Sequence, residues 1–494
     1  MKKYKFEFIV LIVNAIYMIL ELIASRLLSP YFGNTTIVWT SVIGIILLSS
    51  SIGNYIGGII ADKEKLQKAI KLILLTSGFT LLVIPLIQSS VLDFMVENID
   101  NIKIGAILST LILFFVPSML IGFLSPIVIK LKIDDLKNAG KVSGKVSAIA
   151  TLGCILGDFI GGFYLIPHFG GNAILYVLAI ILFLLTLFVQ EFKLKNFILP
   201  ISLSLLCGIL SFSYSLYNEE CGKRVLAGEK GIKVTYDTSY GRATIYNNES
   251  HEIRNFHMDR ALESATYIDK ENRYELVAPY TNFYNLIFQS KNEITDTLMI
   301  GGGGFSYPKY YISKYTNKNM DVIEIDKKVI ELAKEYFYLN DLIKEFDLEN
   351  SKRLNIIKED GRVYLNKCKK KYDAILNDAF AGENPVKTLT TLEAAQRIYS
   401  LLNTNGMYLT NIIASLEGNN SKFLKSEVMT LKQVFKNVYV VPCNSSEDYD
   451  MMQNCMVVAT DQNLELKYAV LLDTDNAIIL TDDYCPIENL VESL

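Results

Sequence analysis

The sequence predicts a multi-pass α-helical membrane domain, then a small β-subdomain, then a doubly wound α/β domain. Three observations predict this order. Long apolar runs crowd the first half of the chain. Alternating β-branched and aromatic residues follow them. Short apolar strands ending in glycines or acids, separated by helical stretches, fill the remainder. The expected limits are 1–217, 218–290 and 291–494.

Composition supports the division. The chain has 494 residues, 51% hydrophobic and 20% charged, with a net charge of −4. That balance argues against a nucleic-acid partner and against disorder. Residues 1–217 hold 16 Lys/Arg and 11 Asp/Glu, whereas residues 218–494 hold 32 and 41. The seven cysteines form no Cys-x-x-Cys pair, and the three histidines show no His-x-x-x-His spacing. Neither a disulfide framework nor a catalytic metal is expected.

The apolar runs lie near 6–28, 38–60, 70–90, 104–129, 146–166, 173–190 and 197–216. Most reach the ~20 residues that a helix needs to cross hydrocarbon. Seven are too many for a signal peptide, so about seven helices in the cell membrane are expected, with a lipid bilayer as partner. With the N-terminus inside, the inside segments carry Lys2, Lys3, Lys5, Lys63, Lys65, Lys68, Lys71, Lys130, Lys132, Lys137, Lys141, Lys145, Lys193 and Lys195, and the outside loops carry only Lys103. Lysines favour the cytoplasmic side.

An internal echo links two blocks. One runs from Ser29-Pro30 to Ile52-Gly53-Asn54-Tyr55-Ile56-Gly57-Gly58, the other from Ser125-Pro126 to Leu156-Gly157-Asp158-Phe159-Ile160-Gly161-Gly162. Three spans separate them, which gives opposite orientations, as in the inverted repeats of transporters. Glycines four apart allow close helix contact. Glu21, Arg26 and Asp158 fall within spans, where charge is costly. They either satisfy neighbouring helices or form a polar site or ion pair.

In the second half, residues 231–246 and 251–259 read as antiparallel strands. Thr297–Ile300 is a short buried strand followed by Gly301, Gly302, Gly303 and Gly304, with a helix from near Tyr307. Met320–Ile325 is a second strand ending in an acid, and Lys327–Leu339 is helical. Asn355–Lys358 leads into Glu359-Asp360-Gly361, and Tyr372–Asn377 ends at Asp378. Strands alternating with helices make a parallel sheet whose ligand sits beyond the carboxyl ends of the strands. Glycines there let backbone approach a ligand. Glu324, about twenty residues beyond the glycines, is placed to accept ribose hydroxyls. The G-x-G-x-x-G spacing of dehydrogenases is absent.

These residues resemble the polyamine aminopropyltransferases, or spermidine synthases, and in particular their membrane-fused branch. The resemblance rests on ELIASRLLSPYFG (21–33) with GNYIGGIIAD (53–62), LMIGGGG (298–304), DVIEID (321–326), EDGRVYL (359–365), YDAILNDAF (372–380), LTTLEA (389–394) and LTDDYCPIENL (480–490). It implies a Rossmann-like (class I methyltransferase-like) catalytic domain with no permanently bound cofactor. Decarboxylated S-adenosylmethionine would be the co-substrate, a diamine the acceptor, and a homodimer the assembly. By position, Gly301, Gly302 and Gly303 line the nucleotide site, Glu324 holds the ribose, Asp360 and Gly361 flank the adenine, and Asp378 accepts the proton of the attacking amine. A Gln of the family corresponds to Glu263, and a substrate tyrosine to Tyr274 or Tyr280.

The chain departs from the family at two carboxylates. Gly304 and Ala381 stand where Asp is expected. The missing side chain at Gly304 would leave room for a donor that retains its carboxylate. Two other readings therefore stand beside a spermidine-forming enzyme. One is the same scaffold using S-adenosylmethionine or another acceptor; the other is a transporter or sensor with a nucleoside-binding domain. A cytosolic donor calls for a cytosolic catalytic half, whereas seven crossings with the lysines inside place it outside.

Overall fold

The computed structural model describes residues 4–33, 36–63, 65–133, 135–189, 195–381, 384–444 and 448–491; Lys2, Lys3 and Lys193 of the lysine pattern lie outside them. The chain forms two compact units. Unit 1 is Met1–Lys223 with Val234–Ala243, and unit 2 is Arg224–Lys233 with Thr244–Leu494. Residues 218–290 therefore do not separate as a third body.

Unit 1 contains α1 (Lys5–Phe32), α2 (Thr36–Ala61), α3 (Leu66–Asn98), α4 (Ile102–Gly122), α5 (Leu124–Lys132), α6 (Ala139–Ile160), α7 (Ile166–His168), α8 (Gly171–Val189) and most of α9 (Lys195–Leu226). A π-helical turn, Gly161–Leu165, joins α6 to α7, and α4 passes into α5 at Phe123. Among the described residues, seven helical segments are long and apolar enough to cross a membrane, by length and composition. They match the seven runs. The last helix continues past 217 because Asn218 to Leu226 keep helical geometry. α1 is buried along most of its length, with Ile9, Val10, Val13, Leu20, Ala24 and Leu28 fully enclosed. Exposed Leu47, Phe79, Leu205, Ile209 and Phe212 give the unit an apolar outer surface.

The glycines of the echo are packing devices. A Cβ on Gly53 would sit 2.3 Å from the carbonyl oxygen of Met119, and one on Gly157 would sit 2.4 Å from that of Ala15. Gly57 likewise abuts Phe123, and Gly161 abuts Ile19 and Leu22. The same number of positions separates Gly53 from Gly157, Ala15 from Met119, Gly57 from Gly161 and Ile19 from Phe123. The contact of α2 on α4 is thus repeated by α6 on α1 with the partners exchanged. The Ser-Pro pairs do not share this register, so the repeat resides in the glycine helices and their partners.

Glu21 on α1 lies near Asp158 on α6. An Arg26 Nη2 donates to the Gly241 carbonyl at 3.4 Å, so its head turns toward the 234–243 hairpin. In that hairpin Asp237 Oδ1 accepts from Arg242 Nε at 2.9 Å, and Oδ2 accepts from the Gly171 amide at 2.9 Å. A carboxylate there satisfies an orphan donor at the start of α8. Glu7 receives Lys132 at 2.9 Å and Lys145 at 3.4 Å.

A four-stranded antiparallel sheet runs β1 (Lys233–Asp237), β2 (Arg242–Asn247), β3 (Ile253–Met258), β4 (Ala261–Tyr267) in that order. The first three follow the alternation; β4 adds a strand, and Glu263 and Ser264 ride on it. A 3-10 stretch, Pro279–Gln289, follows.

The main sheet uses β5 (Asp296–Ile300), β6 (Asn319–Glu324), β7 (Leu354–Lys358), β8 (Tyr372–Asn377), β11 (Leu402–Ala414), β12 (Asn437–Pro442) and β13 (Gln453–Thr460). Its order is β12-β13-β11-β8-β5-β6-β7. The run β11-β8-β5-β6-β7 is parallel, whereas β13 is antiparallel to β11 and β12. The expected parallel sheet therefore carries an antiparallel element near one edge. A two-stranded hairpin, β9 (Phe380–Ala381) with β10 (Asn384–Pro385), follows β8. The helices between strands are α10 (Ser306–Lys314), α11 (Lys327–Tyr336), α12 (Leu339–Glu345), α13 (Leu348–Ser351), α14 (Gly361–Lys367), α15 (Leu392–Leu401) and α16 (Lys422–Leu431), with α17 (Ile487–Leu490) near the end. Leu298, Val322, Ile375, Leu376 and Leu409 are enclosed in the sheet.

Candidate active site

β5 is where the strand order reverses, with β8 on one side and β6 on the other. Crevices form at such points beyond the carboxyl ends of the strands. The backbone after β5 turns through Gly301 at φ +92° and Gly303 at φ +47°, a region that glycine enters without strain. A Cβ on Gly301 would meet the Asp378 carbonyl oxygen at 2.6 Å. This glycine lets the β5 and β8 ends close on each other, and the Asp378 amide donates to the Ile300 carbonyl at 2.9 Å.

Glu324 ends β6 and is buried. Its Oε2 accepts the amides of Gly302 at 2.9 Å and Gly303 at 3.1 Å, and Oε1 accepts that of Asp326 at 2.9 Å. Burial raises its pKa, while these backbone donors work in the opposite direction. Asp360 ends the loop after β7 as the N-cap of α14, its Oδ1 accepting the Val363 amide at 2.9 Å. Gly361 packs against Ile300, where a Cβ would fall 2.6 Å from its methyl group. Both lie at the sheet's carboxyl edge; the contacts they make here are a cap and a close packing.

Asp378 follows β8 and is held on both oxygens. Tyr280 Oη donates to Oδ2 at 3.2 Å, and Asn411 Nδ2 donates to Oδ1 at 3.1 Å. Asn411 is oriented in turn, because its Oδ1 accepts from Asn454 Nδ2 at 3.1 Å. Tyr284, fully buried, donates to the Asn377 carbonyl at 3.3 Å. Burial lifts the Asp378 pKa above the usual aspartate value, and hydrogen bonds from Asn411 and the tyrosines oppose the lift. A cleft beside it is lined by Glu263, Ser264, Ala278, Tyr280, Gly302 and Tyr307 among others.

The structure thus brings together Gly301, Gly302, Gly303, Glu324, Asp378, Glu263 and Tyr280. Of the two candidate tyrosines, Tyr280 reaches Asp378. Tyr274 instead donates to Glu345 Oε2 at 2.8 Å and packs on Phe346. Glu21, Arg26 and Asp158 belong to unit 1. Asn411, Asn454 and Tyr284 were not anticipated. The signal for Asn411 was a polar residue inside an apolar β-rich run, LTNIIAS.

Gly304 corrects an expectation. No room is left there, because a Cβ would lie 2.5 Å from Ser264 Oγ and 2.8 Å from Ser264 Cβ. The β4 serine occupies the space and pairs with Ser306 Oγ at 2.7 Å. Ala381 pairs with Asn384 in the β9–β10 hairpin.

Residues 284–467 match the family model described as the spermine/spermidine synthase domain. The chain is 30% identical over 183 residues to a polyamine aminopropyltransferase of Vibrio vulnificus (strain CMCP6), covering 36% of this chain and 56% of that protein. It is 32% identical over 154 residues to one from Thermoplasma volcanium, covering 31% and 52%. It is 27% identical over 224 residues to one from Clostridioides difficile (strain 630), covering 44% and 74%. The chain thus spans little more than half the length of the first two relatives. Among solved structures it is similar to a probable spermidine synthase from Corynebacterium glutamicum, with a TM-score of 0.41 and 19% identity, covering 48% of this chain and 82% of that one. With the glycine turn, the acid ending β6 and the held acid after β8 in place, residues 284–467 are similar to the spermine/spermidine synthase domain.

Proposed function

We propose that this chain is a membrane-anchored aminopropyltransferase that transfers the aminopropyl group of decarboxylated S-adenosylmethionine to a diamine such as putrescine, giving spermidine and methylthioadenosine. The observation that carries the reading is the seating of Asp378, gripped by Tyr280 and Asn411 beside the Gly301–Gly303 turn. The amine lone pair attacks the propyl carbon bound to sulfur. The C–N bond forms as the C–S bond breaks, and the bonding pair passes to sulfur, which leaves as a neutral thioether. Asp378 takes the proton that the amine loses. A carboxylate whose proton affinity is raised by burial is a better base than one in water. Glu324 accepts the ribose hydroxyls, and the fixed turn supplies alignment.

The test is turnover in detergent with decarboxylated or intact donor, with and without putrescine, followed by mass spectrometry. Spermidine is expected only from the decarboxylated donor, and Asp378→Asn should lower kcat roughly 10²–10⁴-fold. Turnover of the intact donor, or methylthioadenosine without spermidine, would assign the scaffold to other chemistry.

The membrane reading is supported by the seven apolar helices and their exposed Leu, Ile and Phe side chains, which hydrocarbon would cover. The donor is a charged cytosolic metabolite, so we place the catalytic unit in the cytosol. Seven crossings then put the lysine-rich loops outside, against the usual bias. Digestion of the C-terminal unit by protease added to intact cells would overturn this placement.

A transport reading of unit 1 is favoured by one observation, the exchanged glycine contacts of α2 on α4 and α6 on α1, the arrangement of an inverted repeat. Uptake that survives Asp378→Asn would support it.

A further inference from the structure

Relative to the family pattern, the chain lacks two carboxylates and has gained one. Gly304 and Ala381 stand where Asp is implied, and Glu263 stands where Gln is implied. Glu263 lies on β4 and lines the cleft with Ser264, Tyr280, Gly302 and Asp378. Its carboxyl makes no hydrogen bond or ion pair among the described residues. The groups that face it are acidic: Glu324 from β6, Asp378 after β8 and Asp259 from the β3–β4 turn. The Tyr280 hydroxyl approaches from the 3-10 stretch. Among the described residues, none that lines the cleft is Lys or Arg. Burial first, and then these acids, push Glu263 up to about 8. A half-buried anion among anions is unfavourable until a cation arrives.

We propose that Glu263 binds the primary ammonium group of a cationic substrate, taking over from the carboxylates missing at positions 304 and 381. The inference rests on the aminopropyl-transfer reading and deepens it. Two sources offer that group, the tail ammonium of the donor and the distal ammonium of the diamine. The same surroundings reject a donor that keeps its α-carboxylate, because Glu263, Glu324 and Asp378 would face that carboxylate with no lining cation to offset them.

The experiment uses the full chain in detergent, with Glu263→Gln and Glu263→Asp beside wild type. Donor and diamine KM are measured separately from pH 6 to 8.5, with kcat. Glu263→Gln should raise one KM by roughly 10-fold or more, the loss of a charge-assisted hydrogen bond, with kcat changed less. Glu263→Asp should recover part of the loss. The KM that moves identifies the source of the ammonium. In wild type 1/KM should climb as pH rises toward about 8 and Glu263 ionises, and that climb should vanish in Glu263→Gln. Both KM values staying within twofold of wild type, with an unchanged pH profile, would overturn the proposal.

If wild type turns over no donor, the transfer reading fails by itself, and binding still decides the role of Glu263. Calorimetry would compare decarboxylated S-adenosylmethionine with methylthioadenosine, which lacks the ammonium tail. Wild type should bind the former roughly 10-fold or more tightly, and Glu263→Gln should erase the preference. Equal wild-type affinities would refute the donor-tail form, and equal putrescine affinities of wild type and Glu263→Gln would refute the diamine form.

Discussion

Gly301→Ala isolates the close approach on which the site depends. The added methyl group would fall 2.6 Å from the Asp378 carbonyl oxygen, 2.8 Å from its carbon and 3.0 Å from the Ala379 nitrogen. All three are backbone atoms, so no side-chain rotation relieves the clash. Ordinary contact needs roughly 3.4 Å or more, which requires the β8 end to retreat by several tenths of an ångström. The φ of +92° adds strain of order 1–3 kcal/mol for a residue with a Cβ. The retreat moves Asp378 away from Tyr280 and Asn411 and from the amine. A misplacement approaching 1 Å costs up to roughly 100-fold in rate. The assay is steady-state aminopropyl transfer beside thermal unfolding, with Gly140→Ala as control, since no described residue lies within 4 Å of a Cβ there. We expect kcat to fall roughly 10–100-fold while the protein still melts cooperatively. A Gly301→Ala enzyme with kcat within threefold of wild type would refute the reasoning.

Other outcomes follow from the same geometry. Because burial raises the Asp378 pKa, kcat/KM should rise with pH through a midpoint above the usual aspartate range, and a midpoint near 4 would contradict its role as base. Glu427 on α16 is enclosed, its Oε2 has no partner among the described residues, and its pKa is well above the ordinary value. The folded state keeps a proton that the unfolded chain releases above about 4.3, so stability falls as pH rises from there toward the folded pKa. Glu427→Gln should therefore raise Tm more at pH 8 than at pH 5, and an equal gain at both would count against it. Gly304→Asp should destabilise by about 1–3 kcal/mol because Ser264 fills its space. Adding Ser264→Gly should restore part of that, and strict additivity in denaturant unfolding would show the two sites to be uncoupled.

What the sequence made legible was local. The seven apolar runs, the strands from Thr297, Met320, Asn355 and Tyr372, and the acids that end them each announce themselves within a few residues. Their order then places Glu324 and Asp378 at one edge of a sheet. What stayed hidden depended on distant pairing. β4 has a weak alternation, ALESATY, so neither Glu263 nor Ser264 could be assigned a direction. Tyr274 and Tyr280 are equivalent in sequence; only the 3-10 path from Pro279 turns the second toward Asp378. Asn411 lies 33 positions from Asp378, and its amide is set by Asn454 on a strand that runs the other way.

The 234–243 hairpin makes the two units inseparable by one cut. The chain passes from one unit to the other at 223, 233 and 243, so a fragment starting at 218 keeps the hairpin but loses the helices it is grouped with. Asp237 and Arg242 would still pair, but the Gly171 amide that shares that carboxylate would be gone. A fragment starting at 244 avoids that and instead loses β1 and leaves β2 without its first two residues. Expression of unit 2 alone would therefore require redesign of this hairpin, and an inactive truncation would reveal nothing about the chemistry of the intact chain.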